Sequence, residues 1–273
     1  MDFNAAIKEN NFRYKKQLGQ NFLSGTNLLS AIAADCGATP DDLVLEVGTG
    51  AGALTRALAV VCKKVISFEI DTDLKPIQEK TLSDLSNVEV VYSDVLKMSD
   101  GELSAITNNE PFKVCANIPY YITAPLILRF INSSLSVKSI TVTVQKEVAS
   151  KLTAAPGDPD YGSLTVFARL KGTVTKTRDI SRKAFFPVPD VDSSVVRIEL
   201  DRTDLSAEEF KKVNNTVKIA FQNRRKTLKN NLESLSKGGK NGVSAALAAM
   251  GKSDTARAEE LLPDEFIKLT QLL

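Results

Sequence analysis

The 273-residue chain contains no histidine. That absence excludes a Ser-His-Asp triad, a histidine general base and a histidine-ligated metal. Its three cysteines, Cys36, Cys62 and Cys115, are far apart in sequence. No CxxC pair exists, so neither a zinc knuckle nor a redox dithiol is expected. Each thiol sits among small or apolar residues and reads as a small hydrophobe of the core. No metal site is expected. No stretch of about 18 apolar residues occurs, and the N-terminal "MDFNAAIKENNFRYKKQ" has no apolar h-region. These absences predict a soluble, cytoplasmic protein with no membrane partner. An excess of one charge is also missing, with 35 Lys and Arg against 33 Asp and Glu. Any nucleic-acid footprint must therefore come from local clustering.

What is present is ordinary for a soluble globular protein: 43% hydrophobic and 25% charged residues. The length suffices for one large core and a small second domain. From Leu43 to about Val144, short apolar runs alternate with helical patterns. "LVLEV" (43–47), "KVISFEI" (64–70), "VEVVYSD" (88–94), "FKVCAN" (112–117) and "SITVTVQ" (139–145) read as strands. "AGALTRALAVV" (51–61), "TDLKPIQEKTL" (72–82) and "APLILRFI" (124–131) read as helices, with Pro76 disturbing the first turns of the second. Strands at this spacing predict an α/β fold, a parallel sheet with crossover helices on both faces.

Beyond the breaker-rich "TAAPGDPDYGS" (153–163), the segments 164–180 and 193–200 are predicted to complete the same sheet, as strands or as a strand and a helix. Between them, the two prolines of "FFPVPDV" (185–191) argue against regular structure. Ser206 with Glu209 is a capping-box signature that opens a new helix. No strand pattern follows, and turn residues fall at 236–242 and 262–265. The expected division is a large sheet domain over 1–203 and a small helical domain over 204–273.

"LEVGTGAG" places Gly48, Gly50 and Gly52 between a strand and a helix. Glycines there allow a sharp turn and close approach of a ligand. Alone, such a loop could be only a tight turn, and the dinucleotide pattern G-x-G-x-x-G is broken because the third glycine comes one residue early. Two acidic residues raise its significance. Glu69 ends the next strand, where a carboxylate can accept the hydroxyls of an adenosine ribose. Asp94 ends the strand after that and can accept from an adenine amino group. No Walker lysine follows the glycines, which disfavours ATP. S-adenosyl-L-methionine fits, with a ribose, an adenine and no phosphate.

The fourth strand ends in "NIPYY" (117–121). Adenine N6 is a poor nucleophile because its lone pair is delocalised into the ring. The amide oxygen of Asn117 and the backbone carbonyl of Ile118 can accept its two hydrogens and aim the lone pair. No histidine base is required, since orientation and preorganised dipoles supply most of the rate. Pro119 stiffens the turn and Tyr120 offers a flat face for the base. A paired base cannot reach such a pocket, so the target is flipped out or single-stranded. Phe185 is the expected second ring of the sandwich, with Phe186 in the core.

In chain order, "LGQNFL" (18–23), "EVGTGAGALT" (46–55), "FEID" (68–71), "SDVL" (93–96), "NIPYYI" (117–122), "FFPVPDVDSSVV" (185–196), "AFQNRRKTLKNNL" (220–232) and "RAEEL" (257–261) resemble the motifs of the ribosomal RNA adenine N6-dimethyltransferase family. The resemblance runs nearly end to end. It implies a Rossmann-like class I methyltransferase sheet with a small C-terminal helical domain. It implies cofactor contacts by Asn21, Leu23, Gly48, Gly50, Glu69, Asp94 and Asn117. The implied substrate is two adjacent adenosines in a hairpin near the 3′ end of small-subunit ribosomal RNA, in a pre-30S particle. Thr49 and Tyr121 depart from residues that many members carry.

From Ala207 to Lys240 there are nine Lys and Arg against three Asp and Glu. Such a run is usually a solvated helix face. Beside a base-modifying pocket, Arg224, Arg225, Lys226 and Lys229 are instead expected to contact phosphates, and "RYKK" (13–16) to extend the patch. The protein is expected to act as a monomer. Alternatives are an Erm-type large-subunit or DNA N6-adenine methyltransferase, and a noncatalytic RNA-binding assembly factor. The intact Asn117–Tyr120 motif argues against the last.

Overall fold

Apolar strands buried on both faces form the centre of the fold; every residue from Leu43 to Val47 is buried. The structure, a computed structural model, describes residues 12, 15, 19–202 and 205–273. Of the "RYKK" segment only Lys15 is described, and the expected boundary residues 203 and 204 lie outside the described residues.

The chain forms β1 (Phe22–Leu23), α1 (Thr26–Asp35), β2 (Leu43–Val47), α2 (Ala53–Val61), β3 (Lys64–Glu69), α3 (Lys75–Leu82), β4 (Val88–Tyr92), α4 (Asp100–Ile106), β5 (Phe112–Asn117), α5 (Thr123–Ile131) and β6 (Val137–Gln145). Three more strands follow: β7 (Thr173–Ile180), β8 (Phe185–Phe186) and β9 (Ser193–Glu199). The main sheet has the order β4-β3-β2-β5-β6-β9-β7. Strands β2 to β6 pair in parallel, and β9 is antiparallel to β6. From β2 the chain first builds outward through β3 and β4, then returns to place β5 and β6 on the other side. That reversal leaves a crevice at the carboxyl ends of β2 and β5, where open α/β sheets bind ligands. A separate two-stranded ribbon pairs β1 with β8, Phe22 opposite Phe186 and Leu23 opposite Phe185.

The predicted strands and crossover helices fall where the pattern puts them. Pro76 sits in the first turn of α3, behind a 3-10 turn over Thr72–Leu74. This is tolerated because a first-turn N–H has no partner inside its helix. Helices α1 and α4 were not anticipated, although Ser99 and Glu102 give α4 a complete capping box. The segment 164–180 is a helix over Ser163–Lys171 and a strand only in its second half. "FFPVPDV" begins with two residues in regular pairing before its prolines.

The chain divides into two compact units: the described residues up to Ala149 with Thr175–Leu200, and Ser150–Val174 with Asp201–Leu273. The sequence reading kept 150–174 with the sheet. In the structure it groups with the C-terminal helices, because Tyr161 anchors it there. Tyr161 is fully buried, its hydroxyl donates to the Leu261 carbonyl at 2.8 Å, and its ring lies 6.1 Å from that of Phe221. Gly157 N–H also donates to the Glu259 carbonyl at 2.8 Å. Within this unit Ser206 and Glu209 form the expected capping box on the helix Ala207–Ala220. Two stretches read as turns run into helices instead, since Gly239–Ala249 and Pro263–Leu272 begin inside them.

One buried acid ties the sheet to its first crossover. Glu46 of β2 is fully buried. Its Oε2 accepts from Thr55 Oγ1 and Ser67 Oγ, each at 2.6 Å. Its Oε1 has no hydrogen-bond partner among the described residues. Burial pushes the carboxyl up to about 8, against the opposing effect of the two hydroxyls. An unfolded Glu titrates near pH ~4.3. Between those values the folded chain holds a proton that the unfolded chain has lost. Stability from this group is therefore largest below pH ~4.3, falls as pH rises toward about 8, and is level beyond. Glu46→Gln removes that dependence. Compared with wild type across this window, its unfolding free energy is expected to gain on the order of 5 kcal/mol as pH rises. Denaturant melts of both proteins at several pH values check this, and a difference independent of pH contradicts it.

Candidate active site

Four neighbouring strands, β4, β3, β2 and β5, deliver groups to one cleft. β2 runs into Gly48, whose φ is +88°. A Cβ on Gly48 would lie 3.3 Å from the backbone oxygen of Asn117 and 3.4 Å from Ile118 Cγ2. At Gly50, with φ of +55°, a Cβ would meet the Phe22 ring at 3.0 Å. Both the backbone conformation and the close approach call for glycine.

Glu69, the last residue of β3, is 7% exposed and braces this loop. Its Oε2 accepts the Gly50 N–H at 2.8 Å, and its Oε1 accepts those of Ile70 and Asp71 at 2.9 Å each. Burial raises its pKa, and the three N–H groups oppose the rise. Gln78 of α3 holds the other side of the loop, donating to the Gly50 carbonyl at 2.9 Å. Asp71 accepts from Lys15 Nζ at 2.5 Å and from Gln20 Nε2 at 2.7 Å. These contacts secure the chain leading into Asn21 beside β3.

Asp94 lies just past β4, where its Oδ1 accepts the Leu96 N–H at 3.1 Å. Asn117 ends β5, and its Nδ2 donates to the Asn21 carbonyl at 3.4 Å. No donor to its Oδ1 is found among the described residues. The amide thus uses its donor on the chain and keeps its acceptor.

The resulting cleft, about 270 Å³ in volume, is bordered by Asn21, Leu23, Gly48, Gly50, Glu69 and Asp94. Asn117 and Ile118 complete the wall, and Thr49 and Tyr121 also line it. The structure thus brings together every residue that the sequence assigned to the cofactor. Phe22 and Gln20 were missed; their position in "LGQNFL" was the available signal. The donor set fits S-adenosylmethionine: carboxylate acceptors for ribose and adenine hydrogens, a side-chain-free backbone cradle, and apolar walls at Val47, Phe68 and Val95. Among the described residues no group of three or more His, Cys, Asp or Glu is placed to hold a metal ion. No helix among them is long and apolar enough to cross a membrane.

Four expected site residues stand elsewhere. Tyr120 does not line the cleft; its hydroxyl bonds to Ser193 Oγ at 2.7 Å, and burial raises its pKa. Phe185 is 3% exposed and packs among Leu23, Leu29, Leu54 and Val195. The expectation that it faces the base fails, because strand alternation turns it inward and leaves Phe186 outside at 53% exposure. In the second unit, Arg224 donates through Nη2 to the carbonyls of Pro159 and Tyr161 at 2.7 and 3.0 Å. Lys229 pairs with Asp254 at 2.6 Å. Arg225 and Lys226 are exposed, with no ion pair to either among the described residues.

The profile of the ribosomal RNA adenine dimethylase family matches residues 11–272. The ribosomal RNA small subunit methyltransferase A of Clostridioides difficile is 37% identical over 269 residues, covering 98% of this chain and 93% of the relative. That of Deinococcus radiodurans is 42% identical over 261 residues, covering 94% and 85%. Among solved structures, the 23S rRNA methyltransferase ErmE superposes with a TM-score of 0.70 at 30% identity, covering 92% of this chain and 99% of that one. A dimethyladenosine transferase from Plasmodium falciparum gives a TM-score of 0.73 at 26% identity, covering 91% and 95%. Similarity of this extent takes in the cleft and the C-terminal helices alike: the chain belongs to the ribosomal RNA adenine dimethylase family, whose members are S-adenosylmethionine-dependent methyltransferases.

Proposed function

We propose that this rRNA adenine dimethyltransferase acts on the small subunit, placing two methyl groups on N6 of each of two adjacent adenosines in a hairpin near the 3′ end of its RNA. The substrate is a pre-30S particle in the cytoplasm, and the enzyme works as a monomer. One observation carries the choice of subunit. Identity to the small-subunit relatives is 37–42%, against 30% to the large-subunit enzyme ErmE.

When bound, S-adenosylmethionine supplies an electrophilic methyl group. Asn21, Leu23, Gly48, Gly50, Glu69 and Asp94 are the residues that would hold it. Glu69 Oε2 accepts one N–H and retains a second acceptor position for a ribose hydroxyl. Asn117 Oδ1 and the Ile118 carbonyl accept the two hydrogens of the flipped adenine N6, which aims its lone pair into the cleft. Tyr120, outside the cleft lining but between its residues Pro119 and Tyr121, supplies a ring face to the base as it enters, held by its bond to Ser193. The proton that N6 loses passes to water. A monomethylated N6 has one hydrogen for two acceptors, so its positioning relies more on stacking. Arg225 and Lys226 are the phosphate contacts this reading retains in the second unit.

Incubation of labelled S-adenosylmethionine with undermethylated 30S particles, 50S particles and DNA, followed by mapping of the modified nucleotides, tests the assignment. Label confined to two adjacent adenosines of the small-subunit hairpin is expected. Label on 50S or DNA alone, or on none, overturns it. Asn117→Ala is expected to fold and bind RNA normally while losing about 3–4 kcal/mol of barrier lowering. Single-turnover rates at saturating cofactor read this, and a near-normal rate contradicts the role. Neutralising Arg225 and Lys226 together is expected to flatten the salt dependence of RNA binding by up to ~0.9 log units per lost duplex phosphate contact, with cofactor affinity unchanged. An unchanged slope returns both residues to a solvated helix face.

A further inference from the structure

The β1–β8 ribbon carries an exposed ring next to the cleft. Phe186 stands directly opposite Phe22 in the antiparallel register. Paired residues project from the same face of a ribbon, with Cβ atoms about 5 Å apart. Phe22 is itself a wall of the cleft, close against Gly50. The ring of Phe186 therefore continues that wall outward, at 53% exposure. Beside it, Val188 and Val191 are 56% and 41% exposed.

The charges around this ring cancel. Arg182 and Lys183 precede it in the chain and Asp190 and Asp192 follow it, all exposed. The backbone N–H of Arg182 donates to Asp192 Oδ1 at 2.9 Å, and its Nη1 donates to the Asp190 carbonyl at 3.2 Å. A patch that holds phosphates would be predominantly basic. An apolar, aromatic and near-neutral patch fits the face of a base.

We propose that Phe186 is a positioning residue: a stacking platform for the unpaired nucleotide next to the adenosine in the cleft. The proposal rests on the reading of an RNA substrate with two adjacent target adenosines. Drawing one adenosine into the cleft leaves its neighbour with an exposed π-face. Phe186, one strand spacing from the cleft wall, covers that face and keeps the second adenosine at the entrance. Platform and basic residues then have separable effects, because stacking adds little to the salt dependence of binding.

The test compares wild type with Phe186→Ala, Phe186→Leu and Phe186→Trp, on whichever RNA the wild type methylates. A wrong subunit assignment is seen as a change of substrate and leaves the test in place. One substrate carries 2-aminopurine next to the adenosine methylated first, and the unmodified RNA is used for rates. Wild type and Phe186→Trp are expected to quench the probe on binding, and Phe186→Ala and Phe186→Leu to leave it bright. Methylation of the second adenosine is expected to slow by about 5- to 150-fold in Phe186→Ala and Phe186→Leu, more than that of the first, with an unchanged salt slope. Quenching by Phe186→Ala equal to wild type, or full second-site activity in Phe186→Leu, overturns the proposal.

Discussion

The absence of a side chain at Gly48 is the constraint on which the site depends. A Cβ there would come within 3.3 Å of the Asn117 carbonyl oxygen. Its absence lets the carboxyl ends of β2 and β5 close on each other where the strand order reverses. The cofactor loop and the acceptor edge thereby become walls of one cleft. A methyl donor and an amine held in separate clefts could not react; held against one another they gain the rate that orientation provides.

Polar groups around the cleft do structural and chemical work together. Glu69 accepts three backbone N–H groups, so its carboxylate sets the path of the loop before any ligand arrives. Glu46, one strand inward, is linked through Ser67 to the hydroxyl of Thr49 in the same loop, at 2.6 Å per step. Asn117 directs its N–H to Asn21 and leaves its oxygen to the cleft. Preorganisation of this kind places dipoles where charge develops at no cost during the reaction. It also answers the absence of histidine, because the chemistry needs acceptors in place and no strong base.

Much of this was legible in the sequence, for a definite reason. In a parallel sheet, strand ends share one edge, so Gly48, Glu69, Asp94 and Asn117 could be brought together from strand positions alone. What was not legible depends on partners distant in the chain. Phe185 and Phe186 are adjacent and chemically identical, and only pairing with β1 decides which one turns inward. Tyr161 draws 150–174 away from the sheet unit through a carbonyl 100 residues later. Arg224 reads as a phosphate ligand in "NRRKTLK", yet its guanidinium holds carbonyls 63 and 65 residues upstream. Lys229 meets Asp254, 25 residues on and beyond the helix Gly239–Ala249, where no local pattern points.

Calorimetric titration of S-adenosylmethionine into Gly48→Ala, beside wild type, tests the central claim most directly. Circular dichroism reports the folded fraction in parallel. A methyl group at this position strains a left-handed backbone by ~1–2 kcal/mol and presses on the Asn117 carbonyl. The account predicts a largely folded variant whose affinity for the cofactor falls by about tenfold or more. A folded Gly48→Ala that binds the cofactor as wild type does would contradict it.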